Sequence, residues 1–315
     1  MPGRLTALLG CELPLQLAPM GSVSATPALP LAVAAAGGHG MYPGLALPPQ
    51  ALAPVLAELG RRTRAFGVNF IVGMLQDGAL DVALEHAPYV DFFLADPDPA
   101  LIDRVHAAGA VCGWQVESAR EAQEAQDAGA DVVIAKGVES GGRKRLEGPA
   151  LLPLLDAVLE VVTVPVVAAG GIATPRGVAA AMAAGADGVR VGTRFIASEE
   201  SDAHPVWIEA VLAAGPEDSV VSHAFNVGMP QPGPHRVLRS SIAAAEAREE
   251  GEVAVLRMSS AEIPVPRFGP QPPTRQTTGD VAAMALYAGE SAGAVREVRP
   301  AAEIVAELAT GLPGR

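Results

Sequence analysis

Residues 164–201, VPVVAAGGIATPRGVAAAMAAGADGVRVGTRFIASEES, leave few folds open to this chain. Val164–Ala169 is a short, unbroken apolar run, the pattern of a strand buried on both faces. Gly170-Gly171 allows a turn at positive φ and brings bare amides close to a ligand. Thr174-Pro175 reads as an N-cap followed by proline at the first helical position. A second buried strand, Gly188-Val189-Arg190-Val191, ends in Gly192-Thr193 just before another helix start. Two successive glycine-rich strand-to-helix turns place amides and a hydroxyl around one anion. In a (β/α)8 barrel the turns after strands seven and eight commonly hold a phosphate. A phosphate-bearing cofactor is therefore the leading expectation.

The upstream chain supplies six more strands: Leu15–Met20, His39–Tyr42, Phe66–Val72, Val90–Leu94, Val111–Val116 and Asp131–Ala135. Helical segments alternate with them at Pro27–Ala36, Pro48–Arg62, Gly78–His86, Pro99–Ala108, Ser118–Ala128 and Pro149–Val162. Ser118-Ala-Arg-Glu121 opens like a capping box. Ala-Gly-Ala recurs at 108–110, 128–130 and 184–186, each time ending a helix on glycine before the next strand. The fold class read from this rhythm is α/β, a (β/α)8 TIM barrel. From Asp202 the rhythm breaks. Pro205–Ala213 and Arg239–Gly251 read as helices, Pro230–Pro234 and Ile263–Pro273 as proline-rich and irregular, and Val281–Tyr287 and Pro300–Thr310 as closing helices. The division expected is a barrel from 1–201 and 280–315, with a mostly helical substrate-capping insertion at 202–279 over the mouth.

At 315 residues the chain can bury one barrel core plus an appendage. Net charge is −13, which argues against nucleic acid as a partner. Mean hydropathy is +0.29, yet no apolar run approaches a membrane span, and no leader pattern is read at the N-terminus. Cys11 and Cys112, the only cysteines, form neither a disulfide framework nor a metal-ligand set. A soluble cytoplasmic protein without metal is expected.

Seven motifs in order resemble the nitronate monooxygenase family, which also includes flavin-dependent enoyl reductases. They are Leu17-Ala-Pro-Met20, Ala36-Gly-Gly-His-Gly40, Phe66-Gly-Val-Asn69, Lys136-Gly-Val-Glu-Ser-Gly-Gly142, Ala169-Gly-Gly-Ile172, Gly192-Thr-Arg-Phe195 and Tyr287-Ala-Gly-Glu-Ser-Ala-Gly293. The resemblance implies a barrel that binds FMN, with contacts from the Met20 backbone and the Asn69 side chain. It implies that Gly170, Gly171, Gly192 and Thr193 hold the phosphate, and that Lys136, Gly142, Ala169, Glu290 and Ser291 complete the cofactor site. Asparagine at a strand end offers both a donor and an acceptor to a flavin edge.

The chain departs from the family at the loop after strand six. Where the best-known members read Glu-Ala-Gly-Gly-His, with the histidine as base, this chain reads Glu139-Ser140-Gly141-Gly142-Arg143. Arginine stays protonated and cannot act as a general base. Arg143 suits a clamp on a carboxylate, phosphate or nitronate, or a stabiliser of an enolate-like oxyanion. Arg143-Lys144-Arg145 equally reads as a solvated charge run. Lys136 is placed near the flavin N1–O2 edge, where its charge would stabilise reduced flavin. His39, taken to lie at the mouth end of strand two, and His223, in the insertion, are the candidate replacement bases.

The activity expected is FMN-dependent oxidation of a small, anionic organic substrate with dioxygen as electron acceptor. One alternative is NAD(P)H-dependent reduction of an enoyl thioester or quinone, with a biosynthetic complex or carrier protein as partner, since the loop is similar to family members associated with polyketide synthases. Another is a non-redox barrel that binds a phosphorylated metabolite. A homodimer is the assembly set beside these readings.

Overall fold

In the computed structural model, which describes residues 3–45, 47–145, 147–229, 231–258 and 261–314, eight short parallel strands alternate with helices. The barrel strands are β1 (Leu15–Leu17), β2 (Gly40–Pro43), β3 (Phe66–Ile71) and β4 (Tyr89–Phe93). They continue as β5 (Val111–Val116), β6 (Val132–Lys136), β7 (Val166–Ala169) and β8 (Gly188–Val191). Their pairing order is β1–β8–β7–β6–β5–β4–β3–β2. The remaining seam is joined at one bridge between Gln16 and His39. There the Leu17 N–H donates to the His39 carbonyl at 2.9 Å and the His39 N–H donates to the Leu15 carbonyl at 2.8 Å. The (β/α)8 barrel expected from the strand rhythm is present.

Local chemistry explains the alternation. Strands β6, β7 and β8 are buried at every position, as their apolar runs require. The Thr174 hydroxyl accepts from the Gly177 N–H at 3.2 Å, and Pro175 occupies the first helical position. Ser118 likewise accepts from the Glu121 N–H, but the Glu121 carboxylate reaches one residue further back than in a capping box, to the Glu117 N–H at 2.7 Å. Gly109, Gly129 and Gly185 have φ of +74°, +102° and +101°, so each Ala-Gly-Ala turns out of its helix where a side chain would be strained.

The barrel interior is polar as well as packed. Tyr89 fills space that two glycines vacate: a Cβ on Gly113 would lie 2.0 Å from the Tyr89 hydroxyl oxygen, and one on Gly67 2.4 Å from its ring. Arg190 crosses the interior to pair with Asp91, both side chains almost fully buried, and its Nε donates to Gln16 Oε1 at 2.7 Å. Arg190 Nη1 is buried without a hydrogen-bond partner among the described residues, so part of the desolvation cost of this ion pair stays uncompensated.

The region after β8 differs from the expected mostly helical insertion. Helix Pro205–Ala213 is present and the second helix ends at Glu246, but residues 219–279 also carry five strands. Ser219–Ser222 and His235–Leu238 form an antiparallel pair whose free edge takes Gly142–Arg143 from the loop after β6. Glu252–Met258 pairs with Ala261–Pro266 and with Thr278–Gly279, so the first residues of the supposedly irregular Ile263–Pro273 are strand. The cause is a period of two: Ala254 and Leu256 turn inward to meet buried Val265 and Met284. Pro230 lies outside the described residues. Val281–Tyr287 is not a closing helix. Only Val281–Ala283 turns, and the Leu286 carbonyl then accepts from the Leu238 N–H at 2.9 Å, so the segment runs extended beside His235–Leu238. Ala301–Ala309 is the helix that closes the chain.

Candidate functional site

The glycine turns after β7 and β8 converge as the sequence requires. Gly170 and Gly171 adopt φ of +117° and +69°. A Cβ on Gly170 would lie 3.2 Å from the Ser140 nitrogen, and one on Gly289 would lie 2.6 Å from the Glu139 carbonyl. The Thr193 hydroxyl accepts from the Gly289 N–H at 2.9 Å, which leaves its own O–H to donate. A Cβ on Gly192 would stand 3.3 Å from Met20 Sδ. Ala169, Gly170, Gly171, Thr193 and Glu290 thus gather in a rim, directly or through Gly289, around residues 137–140, with Gly192 against Met20; Ser291 follows Glu290 and is buried. The rim is a cradle that side chains would fill, which fits a phosphate approached by backbone amides. Within it the Glu290 carboxylate is held by Arg236 Nη2 at 3.0 Å, and its N–H is given to the Glu139 carbonyl, so its visible work is to fasten the loops.

Below the rim, Asn69 near the end of β3 is anchored through its Nδ2, which donates to the Asp91 carboxylate. Its Oδ1 is the group a ligand can use. Asp91 in turn carries Arg190, and the Tyr89 hydroxyl donates to it at 3.3 Å. His39 stands at the opposite end from the one expected. Strand β2 begins only at Gly40, so His39 enters at its N-terminal end, fully buried, with Nδ1 accepting from Gln16 Nε2 at 3.0 Å. Burial, reinforced by the Arg190 charge, pushes its pKa down to about 3. A neutral imidazole sealed inside the barrel is not a base at the mouth. His223 fails for the opposite reason: its side chain is 67% exposed and faces Glu147 at 3.7 Å.

The β6 loop carries the densest charge. Lys136 ends β6 with its Nζ 3.2 Å from Glu117 Oε1, donating also to the Arg143 carbonyl and lying 4.2 Å from the Phe93 ring centre. Burial lowers its pKa while Glu117 opposes the shift. These partners hold the loop in place and commit the ammonium that was expected to serve a flavin edge. Arg143 donates to the Gln231 carbonyl at 2.8 Å and approaches Met74 Sδ at 3.5 Å. It forms part of the wall of a cavity of about 490 Å³ between the ends of β3 and β4, this loop, Met229 and residues 231–234. Ile71, Met74 and Leu94 give the cavity an apolar side, and Arg143, Lys144 and Gln231 a polar one.

Lys144 does not belong to a solvated charge run: it is 3% exposed, with Nζ donating to Ser140 Oγ at 3.0 Å. Burial first, then the Lys136 charge, pushes its pKa down to about 6. The signal that could have found it is the Gly142–Arg143 strand, which turns the loop under the insertion.

The nitronate monooxygenase family profile matches residues 61–311. A Rhodococcus jostii protein named (3aS,4S,5R,7aS)-5-hydroxy-7a-methyl-1-oxo-octahydro-1H-indene-4-carboxyl-CoA dehydrogenase is 37% identical over 242 residues, 76% of this chain and 66% of its own length. FabK from Thermotoga maritima has the same architecture, with a TM-score of 0.77 and 31% identity over 99% of this chain and 96% of that one. A nitroalkane oxidase from Streptomyces ansochromogenes matches with a TM-score of 0.77 and 30% identity over 98% and 97% of the two chains. No helix among the described residues is long and apolar enough to cross a membrane. With the family profile matched over residues 61–311 and these similarities in sequence and fold, the chain belongs to the nitronate monooxygenase family and is a flavin-dependent oxidoreductase.

Proposed function

We propose that the rim holds FMN and that the enzyme oxidises a small organic substrate, anionic in its reacting form, with dioxygen as the final electron acceptor. One observation carries this reading: the phosphate cradle and the cavity share the Glu139–Arg143 loop, so a cofactor on the rim and a substrate in the cavity would be neighbours. Gly170, Gly171, Gly192 and Thr193 would hold the phosphate, and Asn69, fixed by Asp91, would meet the ring. Bound flavin supplies a two-electron acceptor. Arg143 keeps its charge at all ordinary pH and would orient a nitronate, enolate or carboxylate through its planar fork. Residues 202–279 would act as the substrate cap that keeps water from the reacting centre.

A second reading has a specific motive. The Rhodococcus relative is named for a CoA-thioester substrate, and an arginine beside an apolar wall also suits a thioester enolate. In that case NAD(P)H would reduce the flavin, and the acyl group would arrive on CoA or a carrier protein. Anaerobic titration separates the two. Bleaching of the flavin by ethyl nitronate but not by NADPH supports the oxidase, prompt bleaching by NADPH supports the reductase, and no response to either sinks both.

A further inference from the structure

Of the 22 lysines and arginines in the chain, only two are lysines, Lys136 and Lys144. Arginine serves at every other cationic position, inside the barrel and out. Both lysines are buried, 8% and 3% exposed, and both belong to the β6 loop. Lysine differs from arginine chiefly in that burial can strip its proton, whereas a guanidinium keeps its own. A chain that otherwise uses arginine throughout has kept a titratable amine only here.

The two amines have different surroundings. Lys136 sits against the Glu117 carboxylate at 3.2 Å and keeps a counter-charge. That carboxylate is also occupied by the Arg145 backbone N–H at 2.9 Å. Lys144 instead meets the Ser140 hydroxyl at 3.0 Å, and Ser140 gives its own proton to the Gly137 carbonyl at 2.8 Å. The hydroxyl oxygen is therefore an acceptor, fixing one N–H of Lys144 and leaving the amine lone pair uncommitted. The charged groups bearing on Lys144 are Lys136 from β6, Glu117 after β5, Arg236 from the insertion and Glu139 from its own loop, with the cations and burial outweighing the acids. Lys144 and Arg143 are both among the residues that line the cavity, with the Lys144 amine held at the Ser140 side of the loop.

We propose that Lys144 is the proton acceptor of this enzyme, taking a proton from a carbon acid held in the cavity next to Arg143. The inference deepens the oxidase reading and rests on its substrate class, a compound with an acidic C–H beside a nitro or carbonyl group. In the step, that C–H bond breaks and its electron pair stays on the substrate as a nitronate or enolate. The proton bonds to the Lys144 nitrogen, converting amine to ammonium, and later leaves to solvent. Arg143 faces the negative oxygens so formed. Acid–base work thus moves one residue along the loop from the position that holds arginine, and the substrate can arrive neutral.

Two measurements test this on the purified enzyme. Labelling lysine with ¹⁵N at Nζ gives two resonances, which Lys144→Arg assigns. The Lys144 signal is expected to titrate near pH 6, and an inflection above pH 9 would overturn the proposal. Under anaerobic conditions at pH 7.5, deuterium exchange into nitroethane is followed by proton NMR. Lys144→Met and Lys144→Arg are each expected to slow enzyme-catalysed exchange by about 100-fold or more, the lower range for a general base. Exchange by Lys144→Arg at the unmutated rate would overturn it, because arginine keeps hydrogen-bond donors for a structural role but cannot take up a proton. The flavin spectrum is read separately. A colourless protein that still exchanges nitroethane through Lys144 would sink the flavin reading and leave this one standing.

Discussion

Replacing Asp91 with alanine tests how the barrel interior is held. Asp91 is fully buried and accepts from Arg190, Asn69 and Tyr89, while the Arg190 side chain is 2% exposed. Removing the carboxylate strands a guanidinium where water cannot reach it, a change that costs about 3–5 kcal/mol. Against a typical folding stability of ~5–15 kcal/mol, that is a large fraction of the total. Urea unfolding followed by far-UV circular dichroism should show a correspondingly lower midpoint. The paired change Asp91→Leu with Arg190→Met removes both charges and should recover most of the loss, because breaking a buried pair is worse than replacing it. Asn69 would also lose its anchor, weakening flavin affinity by about one hydrogen bond, ~1 kcal/mol or roughly fivefold. A loss below about 1 kcal/mol in Asp91→Ala, or a double variant no better than the single, would refute the description of this pair as the brace of the interior.

Other perturbations follow from the site. Gly192→Asp puts a side chain against Met20 and a negative charge in the cradle, so gel-filtered protein should lose its flavin, read by absorbance. Arg143→Ala should keep its flavin while kcat/KM falls by about 10²- to 10³-fold, the usual cost of one oxyanion donor; an unchanged kcat/KM would rule out the clamp. His39, held to about pKa 3 in the fold, is protonated in the unfolded chain below about 6.5. Its contribution is therefore complete above pH 6.5 and is lost as pH falls toward 3, at ~1.4 kcal/mol per unit. His39→Gln should flatten that part of the stability profile. Lys144 has the same sign: its folded pKa of about 6 lies below the unfolded value near 10.4, so folding must expel a proton at neutral pH. Lys144→Met should raise stability at pH 7.5 by more than ~1 kcal/mol, read by thermal unfolding, the trade expected where a site is kept for chemistry.

The barrel was legible because parallel strands buried on both faces leave unbroken apolar runs, as in Val132–Ala135 and Val166–Ala169. The glycine turn was legible because φ of +117° at Gly170 is glycine territory and +69° at Gly171 strongly favours it. What escaped depends on contacts distant in sequence. Lys144 lies inside Arg143-Lys144-Arg145, which by itself looks exposed, and becomes buried only when Gly142–Arg143 pairs with His235–Leu238 some ninety residues on. The Glu252–Met258 strand has charged residues at Glu252 and Arg257, which hide its two-residue period until Val265 packs against it. His39 was assigned to the mouth although it opens its strand; the mouth lies at the C-terminal ends of the strands, so a residue just before Gly40 belongs to the opposite, sealed end.

The measurement that bears most directly on the central claim is the visible absorbance spectrum of the purified protein after incubation with FMN and removal of the excess. A retained flavin spectrum, with FMN as the only flavin released on denaturation and with retention lost in Gly192→Asp, is the predicted result. A folded protein that stays colourless after incubation would contradict the claim and leave a barrel whose cradle serves some other phosphate.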